Sequence, residues 1–187
     1  MRLFPLALGF SLIGGSLPAQ EDAVAGPTDA PVRQGIWGSL GAGFGSHGVS
    51  CYDCIGAVRE GGFTTSFRLG GTIGPHATLG VDLIAWVKPL DDPGRGEYAF
   101  LGALMGELQF YPVARQGFFL LGGGGYIVDV VDDDLVLDSP GIALGIGYDL
   151  RTGGGFSLTP QLRYLRTIDG GSLTSSLYQL GIALTWH

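Results

Sequence analysis

The sequence predicts an all-β protein, an eight-stranded antiparallel up-and-down transmembrane β-barrel that follows an N-terminal signal peptide. Beyond residue 34 the chain divides into roughly eight segments of about 10 to 14 residues, in which apolar residues alternate with small or polar ones. The chain contains 35 glycines, and charged residues make up only 14% of it. Helices tolerate so much glycine poorly, because each interior glycine costs about 0.5–1 kcal/mol relative to alanine. No run after the N-terminus reaches the roughly 18 apolar residues of a transmembrane helix.

The N-terminus has the organisation of a signal peptide. Met1-Arg2 gives a short positive end, Leu3 to Ile13 is a mostly apolar run, and small residues follow up to Ala19. Cleavage after Ala19 or Gln20 fits this pattern, and 23–25 offers a second small-residue site. We therefore expect a signal peptide at 1–20, a periplasmic linker at 21–34 and a barrel domain at 35–187.

The predicted strands have two different faces. In 62–74, for example, Phe63 and Phe67 lie on one face, whereas Ser66 and Arg68 lie on the other. The segment 117–129 is apolar on both faces, so its register stays open. Most soluble strands have about 5–6 residues, whereas a tilted membrane strand needs about 9–11. The segments are 35–46, 62–74, 77–88, 97–111, 117–129, 140–151, 155–166 and a last one that ends at Trp186.

The connections and the aromatic residues also indicate a membrane barrel. Tight connections at 74–76, 112–116 and 152–154 alternate with longer acidic ones at 46–61, 88–96, 129–139 and 166–174. Short periplasmic turns and longer outer loops are typical of barrels in the bacterial outer membrane. Aromatic side chains gather near the strand ends, where rings meet lipid headgroups. On the turn side the predicted girdle consists of Trp37, Phe110, Tyr148, Phe156 and Trp186.

Three stretches resemble the small bacterial outer-membrane β-barrel family of the OmpA/OmpX type. They are the glycine-rich 118–126, the pair 145–151 and 157–164, and the alternating end 180–187, in which Trp186 is the penultimate residue. The resemblance implies an eight-stranded barrel in the cell outer membrane. It also implies a monomer in contact with outer-membrane lipids and lipopolysaccharide, whose C-terminal strand is read by the barrel assembly machinery.

The inward face of such a barrel carries charged side chains. Small eight-stranded barrels are filled by side chains, and buried charges must be paired, or the fold loses several kcal/mol. We therefore expect an arginine–carboxylate network that plugs the lumen, the alternative being a selective pore lined by the same groups. The expected members are Arg68, Asp82, Glu107, Asp149, Arg151 and Arg163.

The outer connections offer two further candidates. Cys51 and Cys54 lie in the first of them, and an oxidising compartment favours a disulfide there over free thiols, a metal site or a redox site. The third connection is acidic, with Asp129, 132–134 and Asp138. Carboxylates bind calcium, but this run lacks the spacing of a calcium loop, so a solvated acidic loop is the favoured interpretation. We expect no metal and no cofactor.

The remaining residues limit the function. The net charge of −7 and the absence of a basic patch exclude nucleic acid as a partner. A lipid hydrolase needs a histidine beside a serine and an orienting group, and only Ser46-His47 with Asp53 lies at the right height. We expect a non-enzyme, a structural or surface-interacting barrel with acidic extracellular loops. The alternatives are a narrow channel for small solutes, possibly hydrophobic ones, and, less favoured, an outer-leaflet lipid hydrolase.

Overall fold

The computed structural model describes residues 33–51, 59–89, 98–131, 134–168 and 173–187. In these ranges the regular elements are strands, and no helix is long and apolar enough to cross a membrane. The predicted signal peptide, the linker up to residue 32, Asp53 and Cys54 lie outside the described residues.

The described chain closes into an antiparallel barrel of eight strands. Each strand pairs with the next along the chain, except β6 with β7, and β1 pairs with β9. β7 continues β6 after Asp149, and both pair with β8, so the two together form one barrel strand. The predicted fold class is confirmed. The strands are β1 (Ile36–Cys51), β2 (Arg59–Gly74), β3 (Ala77–Pro89), β4 (Tyr98–Phe110), β5 (Phe118–Val131), β6 (Asp134–Tyr148), β7 (Leu150–Gly153), β8 (Phe156–Thr167) and β9 (Leu173–Trp186).

The two ends of the barrel differ. Two-residue connections, 75–76 and 154–155, join β2 to β3 and β7 to β8 at one end, where residues 111–117 also join β4 to β5, β1 begins and β9 ends. We call this end the turn side and the opposite end the loop side. On the loop side, β1 and β2 are separated by residues 52–58, β3 and β4 by 90–97, β5 and β6 by 132–133, and β8 and β9 by 168–172.

The acidic connection predicted at 129–139 is wrong. β5 runs to Val131 and β6 begins at Asp134, so that Asp129 pairs with Leu137 within the ladder. The β-branched residues Val128, Val130 and Val131 favour extended backbone, which continues the β5 ladder past Asp129 to Val131. Asp129 is fully buried in the lumen and Asp138 is exposed on β6.

The structure also sets the register of β5, which the sequence left open. Phe119, Leu121 and Ile127 point into the lumen, where each is at most 4% exposed. Phe118 and Leu120 point outward. Both faces of β5 are apolar because this part of the lumen is lined by hydrocarbon as well.

The outer surface is an apolar belt. Leu40, Leu83, Leu104 and Leu180 are more than half exposed to solvent, as are many of their neighbours. Burial of apolar surface is worth roughly 25 cal/mol per Å², and an apolar surface of this extent calls for a nonaqueous partner. Hydrocarbon of a bilayer supplies that partner, with the polar groups of the chain turned inward.

The aromatic girdle predicted on the turn side needs one correction. Phe110, Tyr148 and Phe156 lie exposed on the outer surface, and the Trp186 ring covers Gly38 on that surface. Trp37 instead points into the lumen and is 3% exposed. Its indole fills the space left by Gly70 and Gly80, which have no side chains on the inner face.

Candidate functional site: the charged lumen

A cluster of four charged side chains occupies the middle of the lumen. Nε of Arg68 lies 3.2 Å from Oδ2 of Asp82 and 3.6 Å from Oε2 of Glu107. Nη2 of Arg163 lies 2.6 Å and 3.5 Å from the same two oxygens. Arg68 also donates to Oε1 of Gln161 at 2.8 Å. Two guanidinium groups therefore face two carboxylates, and all four side chains are at most 3% exposed.

The ladder explains why these four residues meet. Arg68 and Asp82 are direct partners on β2 and β3, whereas Glu107 and Arg163 reach across from β4 and β8. Their long side chains need space, which glycines on the neighbouring strands provide. A Cβ at Gly123 would lie 3.0 Å from Cγ of Glu107, and a Cβ at Gly145 would lie 3.1 Å from Cγ of Arg163.

Asp149 belongs to a second cluster, at the turn side. Oδ2 of Asp149 lies 3.1 Å from Nη2 of Arg33, and Oδ1 accepts a 2.8 Å hydrogen bond from Thr159. The Tyr111 hydroxyl lies 3.0 Å from Oδ2, and the guanidinium of Arg33 stacks on the Tyr111 ring at 3.5 Å. Burial, together with the charge of Asp149, raises the pKa of Tyr111 above its ordinary value.

Arg33 also fixes the chain that precedes the first strand. Its guanidinium donates to the carbonyl oxygens of Ala114 and Gln116, each at 3.1 Å. The residue is 5% exposed. In the sequence, Arg33 is a lone arginine just before β1. Because it falls in the predicted linker, nothing indicates that it contacts the turn side of the barrel.

Arg151 does not belong to the network. It is exposed on β7 at the turn side, next to the tight connection to β8. The alternation of residues between the two faces of a strand predicted an inward side chain at this position, but β7 is only 4 residues long and ends at the rim of the barrel. A side chain at the rim reaches water, so it needs no carboxylate partner.

A third polar cluster lies at the loop side and contains residues that the sequence did not bring together. Nε2 of His47 lies 2.8 Å from Oδ2 of Asp129 and 2.9 Å from Oγ of Ser175. Ser175 donates to the same aspartate oxygen at 2.9 Å. Trp86 packs against the His47 ring, with centroids 4.7 Å apart. Because Nε2 faces two acceptors, it is the nitrogen that carries the proton.

Apolar side chains fill the lumen between the clusters. They line mainly the β3, β4, β5 and β8 side of its loop-side half: Ile84, Trp86, Leu101, Met105, Ile127 and Leu165. At the turn side, between Trp37, Arg68 and Asp149, there is a cavity of about 10 Å³. That volume holds about one water molecule.

The described residues hold no set of three or more histidine, cysteine or carboxylate side chains arranged for a metal ion. Cys51 ends β1, while its predicted disulfide partner Cys54 lies outside the described residues. The disulfide stays a prediction, as do the acidic character and the contacts of the outer connections.

No protein-family model matches the chain, and neither does any curated protein. Solved structures do match. Neisserial surface protein A aligns with a TM-score of 0.58 at 14% identity, over 81% of this chain and 96% of that one. Ail, the attachment invasion locus protein of Yersinia pestis, gives 0.52 at 12% identity, over 82% and 100%. OprG from Pseudomonas aeruginosa gives 0.50 at 13% identity, over 82% and 97%.

The fold, the apolar belt and the filled lumen define the class of protein. The chain is a small eight-stranded transmembrane β-barrel of the outer-membrane type. Its location is the outer membrane, where barrels of this class carry short turns on the periplasmic side and longer loops outside. Because β1 begins and β9 ends on the turn side, we expect that side to be periplasmic and the loop side to be extracellular.

Proposed function

We propose that this protein is a closed, non-conducting outer-membrane barrel whose role is structural or lies in interactions at the cell surface. One observation carries the proposal: charged clusters block the lumen at three heights. They are Arg33 with Asp149, the central pair of arginines with Asp82 and Glu107, and His47 with Asp129.

The packing between these clusters supports the same proposal. A hydrated ion needs a continuous water path, whereas the cavity at the turn side has room for about one water molecule. Separating the central ion pairs to open a path would leave buried charges unpaired, which costs about 3–5 kcal/mol per broken pair. Thermal fluctuations should therefore seldom separate these ion pairs and open a pore through the lumen.

Single-channel recording in planar bilayers tests the proposal. We expect no steady openings from the wild-type barrel, and brief or steady leaks from the variant Arg163→Ser combined with Glu107→Ser. Folding of both proteins is verified by faster migration of the unboiled sample on an SDS gel. Reproducible steady openings of the folded wild-type barrel would overturn the closed-lumen proposal.

A channel for small hydrophobic solutes is the second candidate. The feature that favours it is the apolar lining of the loop-side half, which includes Leu101, Met105 and Ile127. Uptake of a small hydrophobic compound into cells with and without the protein separates the two candidates, because a closed barrel leaves the uptake rate unchanged.

We further propose that the protein is not an enzyme. His47, Ser175 and Asp129 include the residue types of a hydrolytic triad, but Ser175 and Asp129 share one nitrogen of His47. A catalytic histidine uses one ring nitrogen for the serine and the other for the carboxylate. Ser175 and Asp129 are also completely buried in the lumen, away from the lipid. The arrangement is better suited to holding β1, β5 and β9 together.

A further inference from the structure

Two arginines lie on the lipid-facing surface at the loop side, in a barrel whose net charge is −7. Arg59 on β2 and Arg166 on β8 occupy the same lateral row of the ladder. Arg59 pairs with Gly48, Gly48 pairs with Ser176, and Ser176 pairs with Arg166. Both arginines are exposed.

The Arg59 guanidinium is held in a fixed position across this row. It donates to Oγ of Ser46 at 3.2 Å and to Oγ of Ser176 at 3.0 Å, and it also contacts the Ser46 carbonyl oxygen. It lies over the Tyr178 ring, 4.5 Å from the centroid. Gly48 has no side chain to obstruct the path from β2 to β9. The charge is therefore pre-positioned above Ser176.

Neither arginine is neutralised by a carboxylate within the described part of the chain. All the side-chain partners of Arg59 there are hydroxyl or carbonyl oxygens and the Tyr178 ring, and the Arg166 side chain makes no hydrogen bond or ion pair with those residues. By contrast, Arg33, Arg68, Arg163 and Lys88 each face a carboxylate. Among the described residues, the pair thus presents positive charge that faces no carboxylate, at the edge of the apolar belt.

The surface below the arginines changes from amphipathic to apolar. Tyr164 and Tyr178 are direct partners and stack with centroids 4.7 Å apart. Further towards the membrane centre is an open depression of about 670 Å³ on the outer face. Its lining includes Ala42, Phe44, Phe63, Pro160, Leu180 and Ile182. From the loop side inward, the order is cation, aromatic ring and hydrocarbon.

We propose that this surface is a binding site for one phosphorylated glycolipid of the outer leaflet, a lipid A molecule of lipopolysaccharide. Arg59 and Arg166 would contact its phosphate, since guanidinium groups bind phosphate through paired charge-assisted hydrogen bonds. The tyrosines lie at the level of the headgroup, and an acyl chain occupies the depression. The site is on the outer surface, so it does not depend on whether the lumen conducts.

Binding of purified lipid A to the full barrel in detergent micelles tests this site. The readout is the mass of bound lipid by native mass spectrometry, titrated to give a dissociation constant. Lipid A with its phosphates removed, phosphatidylglycerol and inorganic phosphate are the comparison probes. The variants are Arg166→Gln, Arg59→Gln, their combination and the control Arg151→Gln, which removes the same charge from the exposed turn side.

We expect intact lipid A to bind at least about tenfold more tightly than its dephosphorylated form, because only intact lipid A has a phosphate that can form charge-assisted hydrogen bonds with the two guanidinium groups. Each single variant weakens binding by about tenfold, whereas Arg151→Gln leaves it unchanged. Arg166→Gln keeps the test decisive if Arg59→Gln fails to fold, because the Arg166 side chain makes no hydrogen bond or ion pair with the described residues. The site is overturned if the combined variant binds as wild type does, or if dephosphorylated lipid A or phosphatidylglycerol binds as tightly as intact lipid A. It is also overturned if inorganic phosphate displaces the lipid.

Discussion

In the middle of the lumen, Nη2 of Arg163 lies 2.6 Å from Oδ2 of Asp82, although β8 and β3 are not neighbours in the barrel. The pair therefore spans the lumen rather than the ladder. Both side chains are fully buried. An ion pair in this position connects opposite walls of the barrel and occupies the space that a pore would need.

Removing Arg163 should strongly destabilise the barrel. Arg163→Leu leaves Asp82 and Glu107 with only Arg68, and an uncompensated buried charge costs about 3–5 kcal/mol. Urea unfolding in lipid vesicles, followed by tryptophan fluorescence, measures the free energy of unfolding. Adding Glu107→Gln to Arg163→Leu restores charge balance, so the double variant should be more stable than Arg163→Leu alone. A double variant that is less stable would contradict the network.

Replacing Ser175 should change stability but not lipid chemistry. Its hydroxyl donates to Asp129 and contacts Nε2 of His47, so Ser175→Ala costs about 1–3 kcal/mol through a buried polar group left unpaired. Mass spectra of lipid A from cells that overproduce either protein should be identical. Acyl chains lost with the wild-type barrel but retained with Ser175→Ala would identify a hydrolase instead.

The alternation of apolar with polar or small residues predicted most of the fold, because the side chains of a strand between lipid and lumen must point to the two faces in turn. We call the face that a residue's position in this alternation assigns to it its parity. Parity also placed Arg68, Asp82, Glu107 and Arg163 on the inner face. It could not show that the ladder continues past Asp129, because a run of aspartates has the composition of a loop. Trp37 is a different error: it is one residue out of phase with the outward-facing Ile36 and Leu40, so strand alternation places it in the lumen, whereas its aromatic character alone predicts a place in the girdle.

The contacts of Arg33 and His47 could not be read from the sequence. Arg33 lies 116 positions from Asp149, and Ser175 lies 128 positions from His47. These partners meet only when β1 closes the barrel against β9 and the chain before β1 folds back over the turn side. Closure is a global property, so no local pattern around either residue indicates its partner.

The barrel should lose stability in alkaline solution through Tyr111. Its pKa is raised in the folded state, first by burial and then by Asp149. The unfolded chain therefore releases this proton first, above a pH of about 10, and stability falls as the pH rises further. Below that pH both states keep the proton and no effect is expected. Unfolding free energies measured on both sides of this pH should fall less for Tyr111→Phe than for wild type. Equal slopes would show that other groups cause the loss.

Two adjacent glycines of β5 provide a matched test of lumen packing. A Cβ at Gly123 would lie 2.5 Å from the Gly106 carbonyl oxygen and 3.0 Å from Cγ of Glu107, whereas a Cβ at Gly122 would meet nothing within 4 Å. Gly123→Ala forces Glu107 and the β4 backbone to shift, which should cost about 1–3 kcal/mol. Gly122→Ala should be neutral or stabilising by up to about 1 kcal/mol, because it restricts the unfolded chain. Urea unfolding in vesicles measures both, and similar values for the two variants would mean that the lumen is looser than its contacts indicate.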